Sequence, residues 1–448
     1  MQIRTHRATL IAVGAALLVV AAAVIVTSLN EAPAPLPPGP TVAPAAPAPC
    51  ALPAPTTPRV WEVPAAEIPT SPSSDKWAER IWRYADDNET FSPSIETGVD
   101  ETPGNDYSIP LYCADQATTI ARVFERPSWP GTFESGTTIP WNPNWRPSDG
   151  RDGFMVIVDP TTGKEWDIWA LSTPQFHPAD YLPQFRCALD LKNQLDGFNS
   201  DESLCAAALM VVSNPSGDAV DVRTYRGNYP PANGVGLQNT AGLTTPNEVA
   251  AGRIPHALKF AVGGQASMSG PPCPADVTSP DDARIGTVCG VSVAPAAKLE
   301  SASTTAAATP CEVRSRKSAC LGGMTPDGTR WVVDVTDAEI DAWLDERGYA
   351  GRLRETARVF AVALRDFGSI QSDTTGGPAN WQVAGGADAE TARAWRKLGV
   401  TQKVGDTLLD GLITRERIRV LAPPTNHCAE GGDSQLACWA NDITYPGQ

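Results

Sequence analysis

Several functions are excluded by what this chain has little of. Only 8 of its 35 basic residues are lysines, and 51 acidic residues give a formal net charge of −16. The chain is therefore poor in the cations that neutralise phosphate, so no nucleic-acid partner is expected. Its 42 prolines and 37 glycines exceed what a helical bundle tolerates and indicate strand-rich, irregular structure.

Metal-binding and common catalytic motifs are scarce as well. There are four histidines, no two of them at a ligand spacing, and no C-x-x-C pair. We therefore expect no metal and no cofactor. The sequence also contains no G-x-S-x-G, no H-E-x-x-H and no phosphate-binding glycine loop, which argues against a serine hydrolase, a zinc protease and nucleotide chemistry.

The N-terminus carries a long uncharged segment. Residues 10–29 contain no charge and follow Arg4 and Arg7. At about 1.5 Å per residue, this length matches the roughly 30 Å core of a bilayer. The preceding arginines predict a cytoplasmic N-terminus, a single-pass anchor in the cell membrane and an exported remainder. A cleavable signal peptide is the alternative, although its apolar region would be shorter, about 7–15 residues.

A stiff spacer follows the predicted anchor. Residues 31–58 contain 11 prolines, a composition that favours extended polyproline II structure. We divide the chain into a cytoplasmic tip (1–9), a transmembrane helix or signal anchor (10–29), a spacer (30–58) and an exported β-rich domain (59–448). That domain is predicted to hold a cysteine-rich insertion near 263–326 and a helical C-terminal part.

Ten cysteines in an exported chain are expected to form disulfides, because the compartment is oxidising. Sequence alone does not fix their connectivity. Their spacing favours the local pairs Cys187 with Cys205, Cys273 with Cys289, Cys311 with Cys320, and Cys428 with Cys438. Cys50 and Cys113 are left either to pair with each other or to remain free.

The clearest local element is a β-hairpin. Two β-rich runs, 154–159 and 164–169, flank a four-residue turn that ends in glycine. Pairing Asp159 with Lys164 places Glu165, Asp167 and Trp169 on one face, together with Phe154, Val156 and Val158. Asp159 is expected to cap the turn. Two carboxylates thus stand two residues apart on an otherwise apolar strand pair.

Capping residues and periodicity predict the other elements. Helices are expected at 76–88, from Thr336 to Arg347, at 353–367 and after Asp388. Strands are expected at 253–262 and 330–335, and 369–372 is expected to pair with 381–384. Residues 206–212 suit either a helix or a buried strand. Together these elements predict a mainly β domain with helical decorations.

Several segments resemble a family of exported proteins of high-GC, actinobacterial-type bacteria. The resemblance covers roughly 105–262 and 325–386, and its core pattern G-R-I-x-H-A-L stands here as residues 252–258, Gly-Arg-Ile-Pro-His-Ala-Leu. It implies an exported β-sandwich of jelly-roll type and no particular activity. This chain departs from the family in cysteine-bearing insertions between the hairpin and Gly234 and between Val262 and Thr325.

Glu165 and Asp167 are the first candidate catalytic residues. Retaining glycosidases hold two carboxyls about 5–5.5 Å apart, one protonated and one ionised, and same-face neighbours on a strand approach that spacing. The pattern resembles the E-x-D strand of laminarinase-like jelly-roll glycosidases, although the third carboxylate of that pattern is missing here. Trp169 stands near its place and could stack on a sugar. An E-x-D pair on a strand is, however, commonly only a solvated pair.

His256 and Asp373 complete the predicted catalytic set. Imidazole titrates near neutral pH and could act as acid or base, and Asp373 could close the cleft opposite the hairpin. Each also has a plain structural interpretation, His256 as a core residue between Ile254 and Leu258 and Asp373 as the start of a turn. Arg253 and Trp381 join Trp169 as predicted substrate-binding residues.

Two functions from different classes follow. The leading hypothesis is a membrane-anchored extracytoplasmic protein that binds cell-envelope polysaccharide and cleaves it, as a glycoside hydrolase or polysaccharide lyase, if the carboxylates are catalytic. The alternative is a non-catalytic structural or protein-interaction module at the cell surface.

Overall fold

The structure is a computed structural model that describes residues 50, 60–85, 91–126, 133–150, 152–172, 203–212, 234–263, 293–296, 325–375, 378–426 and 443–445. In these ranges no helix has the length and apolar character needed to cross a bilayer. The predicted anchor at 10–29 lies outside the described residues. So does most of the predicted cysteine-rich insertion, and Cys50 is the one residue of the predicted spacer that is described.

Strands dominate the described part of the chain. In chain order they are β1 (Ser94–Glu96), β2 (Leu111–Cys113), β3 (Thr119–Glu125), β4 (Thr137–Trp141), β5 (Met155–Val158), β6 (Glu165–Trp169), β7 (Ser203–Ala206), β8 (Ala208–Val212), β9 (Leu258–Gly263), β10 (Arg330–Val333), β11 (Ser369–Thr375), β12 (Asn380–Gln382), β13 (Ile418–Val420), β14 (Thr425–Asn426) and β15 (Ile443–Thr444). The helices are α1 (Ser74–Tyr84), α2 (Pro246–Ala250), α3 (Asp337–Glu346), α4 (Gly351–Asp366), α5 (Ala389–Lys397) and α6 (Gln402–Gly405). The prediction of a mainly β domain with helices is confirmed, and 208–212 is a strand.

The strands form three main sheets. A six-stranded sheet has the order β1-β12-β9-β11-β10-β13, a four-stranded sheet the order β2-β5-β6-β8, and a three-stranded sheet the order β4-β3-β7, while β14 pairs with β15. One face of the six-stranded sheet packs on the helices through Leu258, Phe260 and Val262, in one core with Phe360 and Trp395. A second core lies between the four-stranded and three-stranded sheets.

The predicted hairpin is present in the predicted register. Val158 pairs with Glu165 and Val156 with Asp167, so the two carboxylates share a face with these valines. Asp159 Oδ1 accepts from Thr161 N at 2.8 Å, and its Oδ2 accepts from the Thr162 hydroxyl at 2.6 Å. The prediction that Asp159 caps the turn is confirmed.

Helix starts also follow the sequence signals. The Thr336 hydroxyl accepts from Glu339 N, and the Glu339 carboxylate accepts from Thr336 N, so a complete capping box opens α3. Asp388 caps α5 by accepting from Thr391 N at 2.9 Å. Thr245 forms a second capping box at the start of α2 with Glu248.

One predicted strand pairing is wrong. Segments 369–372 and 381–384 were expected to pair with each other, but β9 lies between β11 and β12 and pairs with both, parallel to β11 and antiparallel to β12. Strand alternation is a local signal, and it does not reveal which third strand enters between two neighbours in sequence. The predicted strand 253–262 is also shorter than expected, since β9 begins at Leu258.

The connectivity differs from that of a jelly roll, which is built from antiparallel strands. Four neighbouring pairs are parallel here: β1 with β12, β9 with β11, β2 with β5, and β3 with β7. Parallel neighbours need crossover connections, so the domain is a mixed-sheet β structure with helices on one side of its largest sheet.

The described cysteines are bonded. Cys50 and Cys113 form a disulfide with a Cα–Cα distance of 5.2 Å, which confirms one of the two predicted outcomes for this pair. The bond attaches the end of the spacer to β2. Cys205 is disulfide-bonded as well, and the other predicted pairs involve cysteines outside the described residues.

Candidate functional site

The two hairpin carboxylates lie in the interior of the protein. Glu165 is 2% exposed and Asp167 is 0% exposed. A segment that we call the covering segment, residues 238–240, lies over them. Asn239 N donates to Asp167 Oδ2 at 2.9 Å, Thr240 N donates to Glu165 Oε1 at 3.1 Å, and the Thr240 hydroxyl donates to Glu165 Oε2. Both carboxyls therefore hold this segment on β6.

The surroundings of Asp167 shift its pKa. Burial, followed by the neighbouring Glu165 carboxylate, raises the pKa of Asp167 well above its usual range. Both causes favour the protonated form of this carboxyl.

Lys259 supplies an amine to the same cluster. It projects from β9, is fully buried, and its Nζ lies 3.2 Å from Asn239 Oδ1 and 3.5 Å from the Gln238 carbonyl. Burial lowers its pKa, although the charges of Asp373, Asp167 and Glu165 act in the opposite direction. The amine thus joins the face of the six-stranded sheet to the carboxylates of the four-stranded sheet.

Asp373 reaches this cluster because of a β-bulge. The pairing of β11 with β9 shifts between Gln371 and Asp373, so that Asp373 stands opposite Ala261. Without the extra residue, Ser372 would take that place and the Asp373 side chain would point to the opposite face. Asp373 is 6% exposed, and its Oδ2 accepts from Gln382 Nε2 at 3.5 Å.

The structure places His256 elsewhere. Its Nδ1 lies 2.8 Å from the Ala257 carbonyl and its Nε2 lies 3.2 Å from Glu248 Oε1 at the start of α2. Both ring nitrogens are therefore engaged away from the hairpin carboxylates. The predicted catalytic set divides into a cluster of Glu165, Asp167 and Asp373 and a separate His256–Glu248 pair.

The His256–Glu248 pair predicts a pH-dependent stability. Burial alone would lower the pKa of His256, but Glu248 and the Ala257 carbonyl raise it. Burial alone would raise the pKa of Glu248, but His256 and Thr245 lower it. The raised pKa of His256 contributes folding stability below about pH 6.5, and this contribution is lost as the pH rises through the folded-state pKa. The lowered pKa of Glu248 contributes folding stability above about pH 4.5.

We therefore expect the His256→Gln substitution to be most destabilising between about pH 4.5 and 6.5, by about 1–2 kcal/mol. Urea unfolding of both proteins across pH 4–9 would measure this difference. If the wild type and the variant differ in unfolding free energy by the same amount at every pH from 4 to 9, the ion pair is contradicted.

The predicted substrate-binding residues do not share one surface. Trp381 is fully buried among Phe260 and Trp331, and its Nε1 donates to Ser369 Oγ at 2.7 Å. It is a core residue on the helix side of the sheet, so the predicted substrate-binding residue Trp381 is not on an open surface. Trp169 is partly exposed and its Nε1 donates to Asp152 Oδ1 at 3.3 Å. Arg253 is exposed, with its guanidinium carbon 5.9 Å from the centre of the Phe367 ring.

Sequence reasoning missed Lys259, Asn239 and Thr240. Asn239 and Thr240 lie in a segment that the sequence marks only as a glycine- and asparagine-rich loop. Lys259 carried a signal, because a lysine inside the apolar run 257–262 is buried in a sheet only if it is paired.

Comparison with protein-family models, with curated proteins and with solved structures finds no match. Nor does any group of three or more histidine, cysteine, aspartate or glutamate side chains in the described ranges have an arrangement suited to a metal ion. The chemistry of the site must therefore be argued from its own residues.

Proposed function

We propose that this protein is a membrane-anchored, extracytoplasmic structural or interaction module of the cell surface. The predicted anchor at 10–29 and the predicted proline-rich spacer support its location. The burial of Glu165 and Asp167 beneath the covering segment supports a non-catalytic role. The hydrogen bonds described above for these carboxyls are made within the protein, with Asn239 and Thr240.

Polysaccharide binding and cleavage is the second candidate. Its support is the carboxyl pair itself, because the raised pKa of Asp167 favours a protonated carboxyl beside a second one, the division of roles that a retaining glycosidase needs. A sugar could reach these groups only after residues 238–240 left β6. Trp169, partly exposed on the same strand, would then be the nearest aromatic platform.

The Glu165→Gln substitution separates the two candidates. The glutamine side chain keeps one acceptor oxygen but places an NH2 donor against the other Thr240 donor, so we expect a loss of about 1–3 kcal/mol in the free energy of unfolding. The surface-module function predicts no release of oligosaccharide from envelope polysaccharide by either the wild type or the variant. Denaturant unfolding and chromatography of digests would measure both quantities.

Glu346→Gln is a suitable control, because it makes the same side-chain change at an exposed position of α3. Oligosaccharide release by the wild type that disappears in a folded Glu165→Gln protein, and persists in Glu346→Gln, would overturn the non-catalytic function and establish the glycosidase.

The location is testable on intact cells. Protease added outside should digest the part of the chain beyond residue 58 and spare a tag placed before Met1. Digestion of the tag, or protection of the body, would contradict the proposed orientation.

A further inference from the structure

An amine and a carboxamide meet inside the cluster. Lys259 Nζ lies 3.2 Å from Asn239 Oδ1, and both residues are 0% exposed. They belong to different elements, Lys259 to β9 and Asn239 to the covering segment, and they are 20 residues apart in the chain. A solvent-excluded amine in contact with a carboxamide has the components of an amide exchange.

We propose that Lys259 and Asn239 become joined by an intramolecular isopeptide bond, with Asp167 as the acid that assists the exchange. This proposal goes beyond the surface-module function and does not depend on what the surface binds. Both residues are buried and therefore poorly placed to contact an external substrate, and the proposal gives them a covalent role.

The exchange balances without any co-reactant. The Lys259 Nζ lone pair adds to the Asn239 side-chain carbonyl carbon, the new C–N bond forms, and the original C–N bond of the carboxamide breaks. One proton leaves Nζ and one reaches the departing nitrogen, which is released as ammonia. No atom is oxidised or reduced, and Asp167 ends in its starting protonation state.

The neighbours of the two groups suit each step. Asp167 Oδ2 accepts from Asn239 N at 2.9 Å, which holds the carboxyl against the same residue that would lose ammonia. Burial and Glu165 raise the pKa of Asp167, which favours the protonated form that an assisting acid needs. Because burial lowers the pKa of Lys259, the uncharged nucleophilic amine is more accessible than on a surface lysine.

Glu165 has a positioning role in this scheme. It lies beside Asp167 on the same strand face and accepts from both donors of Thr240, so it holds the covering segment next to the acid. The exclusion of water from the cluster also protects the carboxamide from hydrolysis, the competing reaction. The bond would tie the segment lying on β6 to β9 in the largest sheet, and unlike the Cys50–Cys113 disulfide it would resist reduction.

Peptide mapping of the purified full chain tests the proposal. After reduction and alkylation, trypsin should cleave after Arg226, Arg253 and Arg284 but not after a modified Lys259. We expect peptides 227–253 and 254–284 to appear as one branched species, lighter than their sum by the mass of ammonia, with fragment ions that join Asn239 to Lys259. Release of the unmodified peptide 254–259 from the folded wild type, with no branched species, would overturn the proposal.

Three variants sharpen this test. Asn239→Ala should abolish the branched species and restore cleavage after Lys259, and Asp167→Asn should reduce the cross-linked fraction in protein whose circular dichroism remains native. Asn239→Asp should give a branched species of the same mass as the wild type, because loss of water from a carboxyl and loss of ammonia from a carboxamide yield the same amide. A bond from Lys259 to Asp373 instead, again with loss of water, would refute the assignment of Asn239. If Asp167→Asn does not fold, the wild-type and Asn239 maps still decide.

Discussion

In protein whose Lys259 amine is free, the Lys259→Met substitution is expected to lower the free energy of unfolding by about 3–5 kcal/mol at neutral pH, because it leaves buried carboxylates without their counter-charge. Asp373, Asp167 and Glu165 all act electrostatically on this amine. The substitution also removes the donor to Asn239 Oδ1 and to the Gln238 carbonyl. Denaturant titration of the purified protein measures the effect.

The size of this loss should depend on pH. Lys259 opposes the rise in the pKa of Asp167, so without the lysine that pKa is raised further in the folded state. The variant is therefore least stable where Asp167 must ionise and recovers as the pH falls towards about 4. Lys403→Met, at an exposed position of α6, is the matched control and should change stability by no more than about 0.5 kcal/mol. Equal losses of unfolding free energy for Lys259→Met and Lys403→Met, or a loss for Lys259→Met that does not change with pH, would refute the buried charge cluster.

Lys259→Met also prevents the proposed isopeptide bond, in which Lys259 is an uncharged amide and not a counter-charge. Asn239→Ala keeps a free Lys259 amine among the carboxylates and offers no carboxamide. The difference between Asn239→Ala and Lys259→Met therefore reports on the lysine charge, and the difference between the wild type and Asn239→Ala reports on the contacts of Asn239, including the covalent bond.

The second large effect is expected at Arg330. Its guanidinium is buried and donates to four oxygens: Phe367 O at 2.7 Å, Val60 O at 3.0 Å, Val63 O at 2.6 Å and the Tyr445 hydroxyl at 3.1 Å. These acceptors belong to the end of α4, to the first described turn and to the last described strand region. One side chain therefore holds three distant parts of the chain on β10.

We expect Arg330→Met to cost about 3 kcal/mol, since the buried carbonyls lose their donors. Arg330→Lys should recover only part of this, because an ammonium group lacks the planar, five-donor geometry of guanidinium. The control is Arg352→Met, where the arginine is exposed and its ion pair with Glu355 should contribute about 1 kcal/mol or less. Chemical unfolding gives the magnitudes.

Limited proteolysis provides a local readout of Arg330. In the variant, cleavage near Val60 and Val63 should precede global unfolding, because these carbonyls lose their attachment to β10. Simultaneous loss of all segments, at the rate of global unfolding, would contradict the role of Arg330 as a local attachment point.

Local patterns predicted the elements that depend on neighbouring residues. The hairpin register follows from period-two alternation and a glycine-containing turn, and it correctly placed Glu165 and Asp167 on one face. Helix starts at Thr336 and Asp388 follow from side-chain caps that satisfy backbone N–H groups within the same turn. Such signals act over three or four residues, so the rest of the fold does not change them.

Partners across the fold were not predictable in this way. The pairing of β9 between β11 and β12 depends on which strand reaches the sheet, and the inward position of Asp373 depends on a one-residue bulge. His256 was correctly placed as a buried residue only in its plain structural interpretation, and Trp381 was predicted only as a substrate-binding residue. Their observed neighbours, Glu248 and Phe260, come from the helix side of the sheet.

By itself, the sequence determined an acidic chain, poor in lysine and histidine, with an N-terminal apolar segment, a proline-rich spacer, a β-rich body and two carboxylates on one strand face. Only the tertiary structure decided that these carboxylates are buried beneath residues 238–240 and that a lysine from another sheet lies beside them. The physical reason is that alternation fixes the direction of a side chain relative to its own strand, whereas burial and charge pairing depend on the surface that packs against that strand.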